Sequence, residues 1–275
     1  MLRHRVLTAL VLFALFSTSL YFLSHNYFAG LLVPIMMLAG WEWIRLTGVT
    51  SPIMVTLLLV IQFIGLSVTG ALVNFFGDIN LVISQKILLF SSLFWFFNML
   101  ILNGYPHSSL VLSYRYSWAV IGLLLLCFAW LAIICILALP NGKELLLLGT
   151  GIVVFADIGG YFGGRYFGKK KLAPLISPGK TREGVICALV LQLPLCLFFN
   201  VFGQSSIDLK FYFFIAFFAV FLSVFGDLFV SMFKRNTGLK DSGCLLPGHG
   251  GIFDRVDGLV VVLPFYSICV LMRPI

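Results

Sequence analysis

The feature that most constrains this chain is a succession of apolar stretches, each close to twenty residues long and separated by short breaks. A helix rises 1.5 Å per residue, so about twenty apolar residues cross a hydrocarbon core of ~30 Å. Nine such segments can be read, at about 6–23, 27–44, 53–76, 81–101, 117–139, 145–163, 185–203, 211–233 and 258–272, the last short unless it reaches back toward Asp254. The breaks Gly77-Asp78-Ile79-Asn80, Asn103-Gly104-Tyr105-Pro106 and Pro140-Asn141-Gly142 carry turn chemistry. Composition agrees: 61% of the 275 residues are hydrophobic and 10% charged, against roughly a quarter charged in soluble domains. An ordinary soluble enzyme is excluded. The expectation is an all-α polytopic integral membrane protein of about nine transmembrane helices, with a polar site open to the cytoplasmic side. The first segment follows Arg3 and Arg5 without a small-residue cleavage site, so it reads as a retained span rather than a signal peptide.

Orientation follows from the basic residues. With a cytoplasmic N-terminus, 14 of the 18 Lys and Arg residues fall on the cytoplasmic side, as the positive-inside rule expects. Lys143, Lys210 and Arg273 fall opposite, and Lys86 is too near a span end to count. The net charge of +8 is therefore a topology signal before it is a sign of nucleic-acid binding. The six cysteines form no CxxC pair and no metal-ligand spacing. Residues 1–140 make a plain apolar half of about five spans, and residues 141–275 a chemically loaded half.

That loading is local. Segments 164–183 and 234–257 hold ten basic and four acidic residues, half of the 28 charges in the chain. Two further acids, Asp157 and Asp227, lie within spans, each about seven residues before the cytoplasmic end, or ~10 Å below it. A carboxylate at mid-span costs at least ~2.5 kcal/mol on insertion scales, so it faces a partner or a polar cavity. Structural pairing with Lys or Arg and binding of metal or substrate both satisfy that rule. Gly159, Gly160, Gly163 and Gly164 follow Asp157 at spacings that either allow close helix packing or clear room beside the acid. Lys169-Lys170-Lys171 suits topology or anionic headgroups. In Ser177-Pro178-Gly179-Lys180-Thr181 a glycine turn would offer backbone N–H groups, a cation and a hydroxyl to phosphate, although it is not a P-loop.

The stretch from Ser231 to Asp257 is the most informative. Asp254 and Asp257 share a helix face if the last span begins there. Converging with Asp227, they suit a hard cation such as Mg²⁺, which takes oxygen ligands and shares them with phosphates. Lys234, Arg235 and Lys240 can hold those phosphates. His249, between glycines, reads as a loop hydrogen-bonder before it reads as a base.

At these residues the sequence resembles the phosphatidate cytidylyltransferases, or CDP-diacylglycerol synthases, of the short bacterial type. Their signature S-x-x-K-R-x4-K-D-x-G/S-x2-L/I-P-x-H-G-G-x-x-D-R-x-D matches residues 231–257 throughout. The SPGKT string, Asp157-x-Gly159-x-Tyr161 and Gly226-Asp227 are similar to further family elements, and Trp41-Glu42-Trp43 to an N-terminal one, though two Trp beside an acid also suit an interfacial belt. Strong similarity covers roughly 150–260. Departures are Ile158 and Arg182, where the family commonly has Ser and an aromatic, and Val230, where it commonly has an acid.

The resemblance implies transfer of the cytidylyl group of CTP to phosphatidic acid, giving CDP-diacylglycerol and pyrophosphate for phospholipid synthesis. It implies Mg²⁺ at Asp227 and Asp254, with Asp157 and Asp257 as further ligands and room for a second cation. Asp227, Asp254, Lys180, Lys240 and Asp241 are the expected catalytic residues. Ser177, Thr181, Lys234, Arg235, His249, Arg255 and Tyr161 are expected to bind substrate. The expected location is the bacterial cytoplasmic (inner) membrane with the site facing the cytoplasm. No nucleic-acid partner is expected, and a homodimer is compatible with all of this. Competing readings are a CTP-dependent polyprenol kinase, a divergent paralogue of low activity and, more distantly, a cation-coupled transporter.

Overall fold

The computed structural model describes residues 2–105, 112–203, 208–245 and 250–272. Within them lie nine helices and one two-stranded hairpin: α1 (Leu2–Phe22), α2 (His25–Leu46), α3 (Pro52–Leu72), α4 (Leu81–Asn103), α5 (Arg115–Leu137), α6 (Gly142–Phe167), β1 (Lys171–Ala173), β2 (Ser177–Thr181), α7 (Arg182–Phe202), α8 (Leu209–Asn236) and α9 (Phe253–Leu271). Seven of them, α2 to α8, are long and apolar enough to cross a membrane, so the chain is an all-helical integral membrane protein with one small hairpin. Helix α1 carries an apolar stretch that includes Val11–Phe22. The last helix, α9, carries Asp254, Arg255 and Asp257 near its start.

The helices overrun the apolar segments at their charged ends. Arg165 lies in α6, Lys234 and Arg235 in the last turn of α8, and Asp254 and Asp257 in α9, where hydropathy alone ended the spans. Lys and Arg are good helix formers, so a fall in hydropathy does not stop a helix. Asp157 is ten residues from the end of α6 and Asp227 nine from the end of α8, about 15 and 14 Å along the axis. The two acids keep matching depth, further in than the sequence implied.

Helix α5 is apolar on all sides and forms the centre. Of its apolar window 78% is buried, against 28% for α3 and 22% for α7, which are peripheral. α2, α3, α4 and α9 pack on α5, while α6 and α7 pair along their length and α8 lies against α7 and α9. Lipid offers helices no hydrophobic reason to associate, so small residues and interhelical hydrogen bonds carry the packing. A Cβ on Gly159 would stand 2.7 Å from the Cα of Ala188, and one on Gly163 would run into Cys187. Gln62 Nε2 donates to Met36 O (2.8 Å), Gln192 Nε2 to Ile152 O (3.2 Å) and the Tyr266 hydroxyl to Leu145 O (2.8 Å).

The hairpin corrects one sequence expectation. Ser177–Thr181 is strand β2, antiparallel to β1 with Lys171 opposite Thr181 and Ala173 opposite Ser177, and Gly179 takes no positive φ. The register shifts between the two pairs, so residues 178–180 lie in an irregular stretch of strand rather than in a glycine turn. Arg182 N closes the hairpin on Lys170 O (2.9 Å), and the Glu183 carboxylate accepts from Lys169 N (3.0 Å) and Lys170 N (3.1 Å).

Candidate active site

Strand β2 delivers Lys180 to α8. Its Nζ lies 2.6 Å from Asp227 Oδ2 and donates to Val224 O at 3.2 Å. Ser231, one turn after Asp227, donates to Oδ1 at 3.3 Å. The pair is neither sealed nor fully solvated: the Lys180 and Asp227 side chains are 22% and 34% exposed. Arg235 ties the hairpin down a second time through Nε to Ile176 O (3.0 Å). Thr181 is buried and caps α7, its Oγ1 accepting from Gly184 N at 3.1 Å. Ser177 is half-buried at the start of β2.

Asp254 is held from three sides. Lys234 Nζ meets Oδ1 at 3.0 Å, and Ser242 N (2.8 Å) and Gly251 N (3.0 Å) donate to Oδ2. Gly250 has φ +81, and a Cβ there would stand 2.7 Å from Asp254 Oδ2, so both the left-handed backbone and the close approach require glycine. Asp257 Oδ1 accepts from Gly258 N at 2.8 Å.

Asp157, Asp227 and Asp257, from three different helices, lie close enough for their charges to act on one another. Both sequence readings of the glycines hold, for different residues: Gly159 and Gly163 are packing positions, while a Cβ on Gly160 would meet nothing within 4 Å. Gly160 lies three residues after Asp157, hence on its face, and leaves space beside that acid.

Asp241 lies beside Gly250 and so near the Asp254 carboxylate, whereas other expected site residues sit further out. Lys240 and Asp241 are exposed on the segment after α8. Tyr161 is exposed, its hydroxyl accepting from Arg165 Nη1 at 3.2 Å. His249 lies outside the described residues, as does Arg273. Of the three departures, Val230 is buried in the core, whereas Ile158 and Arg182 are exposed. Arg182 stands at an apolar groove of about 570 Å³ between α4, the hairpin, α7 and α8, with Pro174, Ile176, Val185 and Phe221 in its wall.

Glu42, read in the sequence only as part of the Trp41-Glu42-Trp43 element or an interfacial belt, was not counted among the site residues. It is fully buried in α2, and its Oε2 accepts from Ser242 Oγ and Phe253 N, both at 2.8 Å. Next to it Trp43 donates through Nε1 to Trp118 O (2.9 Å) and packs on Phe233 and Phe253, with ring centroids 4.8 and 5.2 Å away. An aromatic cluster from α2, α5, α8 and α9 therefore underlies the segment between α8 and α9. The available signal was the rule that singled out Asp157 and Asp227: an acid inside an apolar segment needs a reason.

The sequence profile of the cytidylyltransferase family matches residues 3–272. The chain belongs to that family. It is 36% identical to the phosphatidate cytidylyltransferase of Haemophilus influenzae, across 97% of this chain and 98% of the relative. The phosphatidate cytidylyltransferase of Pseudomonas aeruginosa is 34% identical across 97% and 96%. That of Bacillus subtilis reaches 44%, but across 42% of each chain, so similarity within the family is unevenly distributed. Among the described residues no three carboxylate, His or Cys side chains are grouped so as to hold a metal ion by themselves. For a family acting on nucleotides that is no obstacle, since Mg²⁺ is commonly bound through one or two carboxylates plus substrate phosphates and waters.

Proposed function

We infer that the protein transfers the cytidylyl group of CTP to phosphatidic acid, giving CDP-diacylglycerol and pyrophosphate. The observation that carries this reading is the pairing of Lys180 with Asp227 and of Lys234 with Asp254, in a chain similar over almost its whole length to two phosphatidate cytidylyltransferases. A phosphate monoester has its second pKa near ~6, so the phosphatidate oxygen is largely ionised at neutral pH. It attacks the α-phosphorus of CTP, the bond to the β-phosphate oxygen breaks, and pyrophosphate leaves. No proton has to move in that exchange, so no catalytic base is needed. What remains is to position two anions and offset their repulsion.

In this reading Lys180 and Lys234 hold phosphate oxygens, each kept in place by its carboxylate, and Arg255 and Lys240 add positive charge around the bound nucleotide. Arg235 supports the hairpin that carries Lys180. Ser177, Thr181, Tyr161 and His249 complete the substrate-side set expected from the sequence, and Asp241 the catalytic one.

The donor set suits Mg²⁺. All candidate ligands are hard carboxylate oxygens, and the mutual repulsion of Asp157, Asp227 and Asp257 is relieved by a cation. Asp227 is the first ligand. Asp254 has about four acceptor positions, of which three are taken, leaving one. When bound, the ion withdraws charge from the phosphate oxygens around the reacting phosphorus. The reading is compatible with a second cation.

The groove beside Arg182 has the apolar walls that acyl chains require. We further read the chain as crossing the inner membrane of a bacterium nine times, counting α1 and α9, with its site at the cytoplasmic face, and as able to form a homodimer; chemical cross-linking in native membranes tests the last point.

The deciding assay uses purified protein, CTP labelled at the α-phosphate, phosphatidic acid and Mg²⁺. The label is expected in a lipid product, with release of pyrophosphate. Transfer of a γ-phosphate label to lipid, with release of CDP, would point instead to a CTP-dependent lipid kinase. Chelating divalent cations should stop the reaction and Mg²⁺ should restore it. Asp227→Asn should abolish CDP-diacylglycerol formation while leaving the protein inserted; near-normal turnover would remove Asp227 from its role.

A further inference from the structure

We propose that Glu42 is a positioning residue: from α2 it anchors residues 242–243 and 251–253 and so fixes the carboxylate of Asp254 in its working orientation. The proposal rests on the reaction inferred above.

Two carboxylates from different helices gather four donors from these two stretches. Asp254 takes the backbone N–H groups of Ser242 and Gly251. Glu42 takes the Ser242 hydroxyl and the Phe253 N–H. Ser242 thus bridges the two acids, its N–H to one and its hydroxyl to the other. The Phe253 N–H belongs to the first turn of α9, where helix donors lack intrahelical partners, so Glu42 also sets where α9 begins, one residue before Asp254.

The backbone is moulded around this side chain. A Cβ on either Gly243 or Gly251 would collide with the Glu42 carboxyl group. Glu42 Oε1 has no hydrogen-bond partner among the described residues. A buried carboxylate with an oxygen left over is a costly way to stabilise packing. It is a direct way to hold two donors that lie 200 and 211 residues away in the chain. Because Asp254 pairs with Lys234, a shift of these stretches would move an anion and a cation of the site together.

The test compares Glu42→Leu, Glu42→Gln and Ser242→Ala in the full-length protein, purified in detergent. Steady-state kinetics with CTP and phosphatidic acid are combined with hydrogen exchange followed by mass spectrometry. Glu42→Leu is expected to lower kcat by about 100-fold, the scale of a small misplacement at a reacting centre. Glu42→Gln keeps an acceptor for both donors and is expected to stay within about tenfold of the native enzyme, as is Ser242→Ala, which loses one hydrogen bond of two. Exchange should rise in residues 240–254 and stay unchanged in α6 and α7.

Native-like kcat in Glu42→Leu, or Glu42→Gln no better than Glu42→Leu, overturns the proposal. So does a rise in exchange across all helices, which is the mark of a merely structural residue. If Glu42→Leu does not insert, Ser242→Ala decides by hydrogen exchange: a rise confined to the residues flanking Ser242 and Phe253 supports the anchor, and unchanged exchange there overturns it. Should the native protein itself fail to make CDP-diacylglycerol, the inferred reaction falls, while local exchange still tests whether Glu42 anchors the segment.

Discussion

Lys180 stands on a strand and Asp227 inside a helix, and their pairing brings the hairpin onto α8. Both side chains retain partial access to solvent, which discounts their Coulombic attraction relative to a sealed pair. Replacing Lys180 with Met should lower turnover by about 100-fold or more, the usual cost of losing one donor to a developing charge. The Lys180→Met, Asp227→Asn double variant should be less impaired than the product of the single effects, with a coupling on the order of 1 kcal/mol. Rates of all four proteins in one lipid-substrate assay give that cycle, and strict additivity would separate the two residues. The acids and cations of this site were legible in the sequence because lipid penalises every charge within a span, so the few that persist there are conspicuous. Glu42 obeys the same penalty. Its partners, however, are contributed by the last helix and the segment before it, and local sequence carries no information on contacts across such a separation.

At the scale of elements, α6 and α7 show how neighbouring glycines differ. Gly159→Ala places a methyl group against the backbone of Ala188 and should destabilise by about 1–3 kcal/mol, as overpacking does. Gly160→Ala meets open space and should stay within about 0.5 kcal/mol. Thermal unfolding of the two variants in the same detergent distinguishes them, and equal effects would contradict the packing described. Thr181 offers a second test. As the cap of α7 it should tolerate Ser, whereas Thr181→Val should cost about 1 kcal/mol of stability. A raised KM for CTP with unchanged unfolding would make its hydroxyl a ligand to substrate rather than a cap. Helix existence was readable from apolar length, but helix ends were not, since Lys234 and Arg235 leave the hydropathy window without leaving the helix. The hairpin was hidden for another reason. Three and five residues are too few to show a period of two, and Pro178 and Gly179 are poor strand formers set between the paired Ser177 and Thr181.

For the whole molecule, the charge asymmetry predicts that the segment between α8 and α9 faces the cytoplasm. Cys244 is exposed in that segment, while the other five cysteines are buried or half-buried. A membrane-impermeant maleimide should therefore label Cys244 in inside-out vesicles and not in intact spheroplasts, read by mass spectrometry of the labelled peptide. Labelling from the outer side alone would invert the topology. Division into a plain first half and a loaded second half describes the distribution of charge along the chain. Through Glu42 and Trp43, α2 reaches into the site region, and α5 supports both halves from the centre.

The sequence by itself determined the solvent, the secondary-structure class, the side on which charge gathers and the residue types able to handle phosphate, because each of these depends on local composition and spacing. Only the tertiary structure decided that Lys180 belongs to Asp227, that Lys234 belongs to Asp254, and that one glycine packs while the next leaves space. It also decided that an acid of the second helix holds the segment before the last. These are contacts between segments distant in the chain, set by how helices pack where lipid gives them no preferred partner, and no local pattern encodes them.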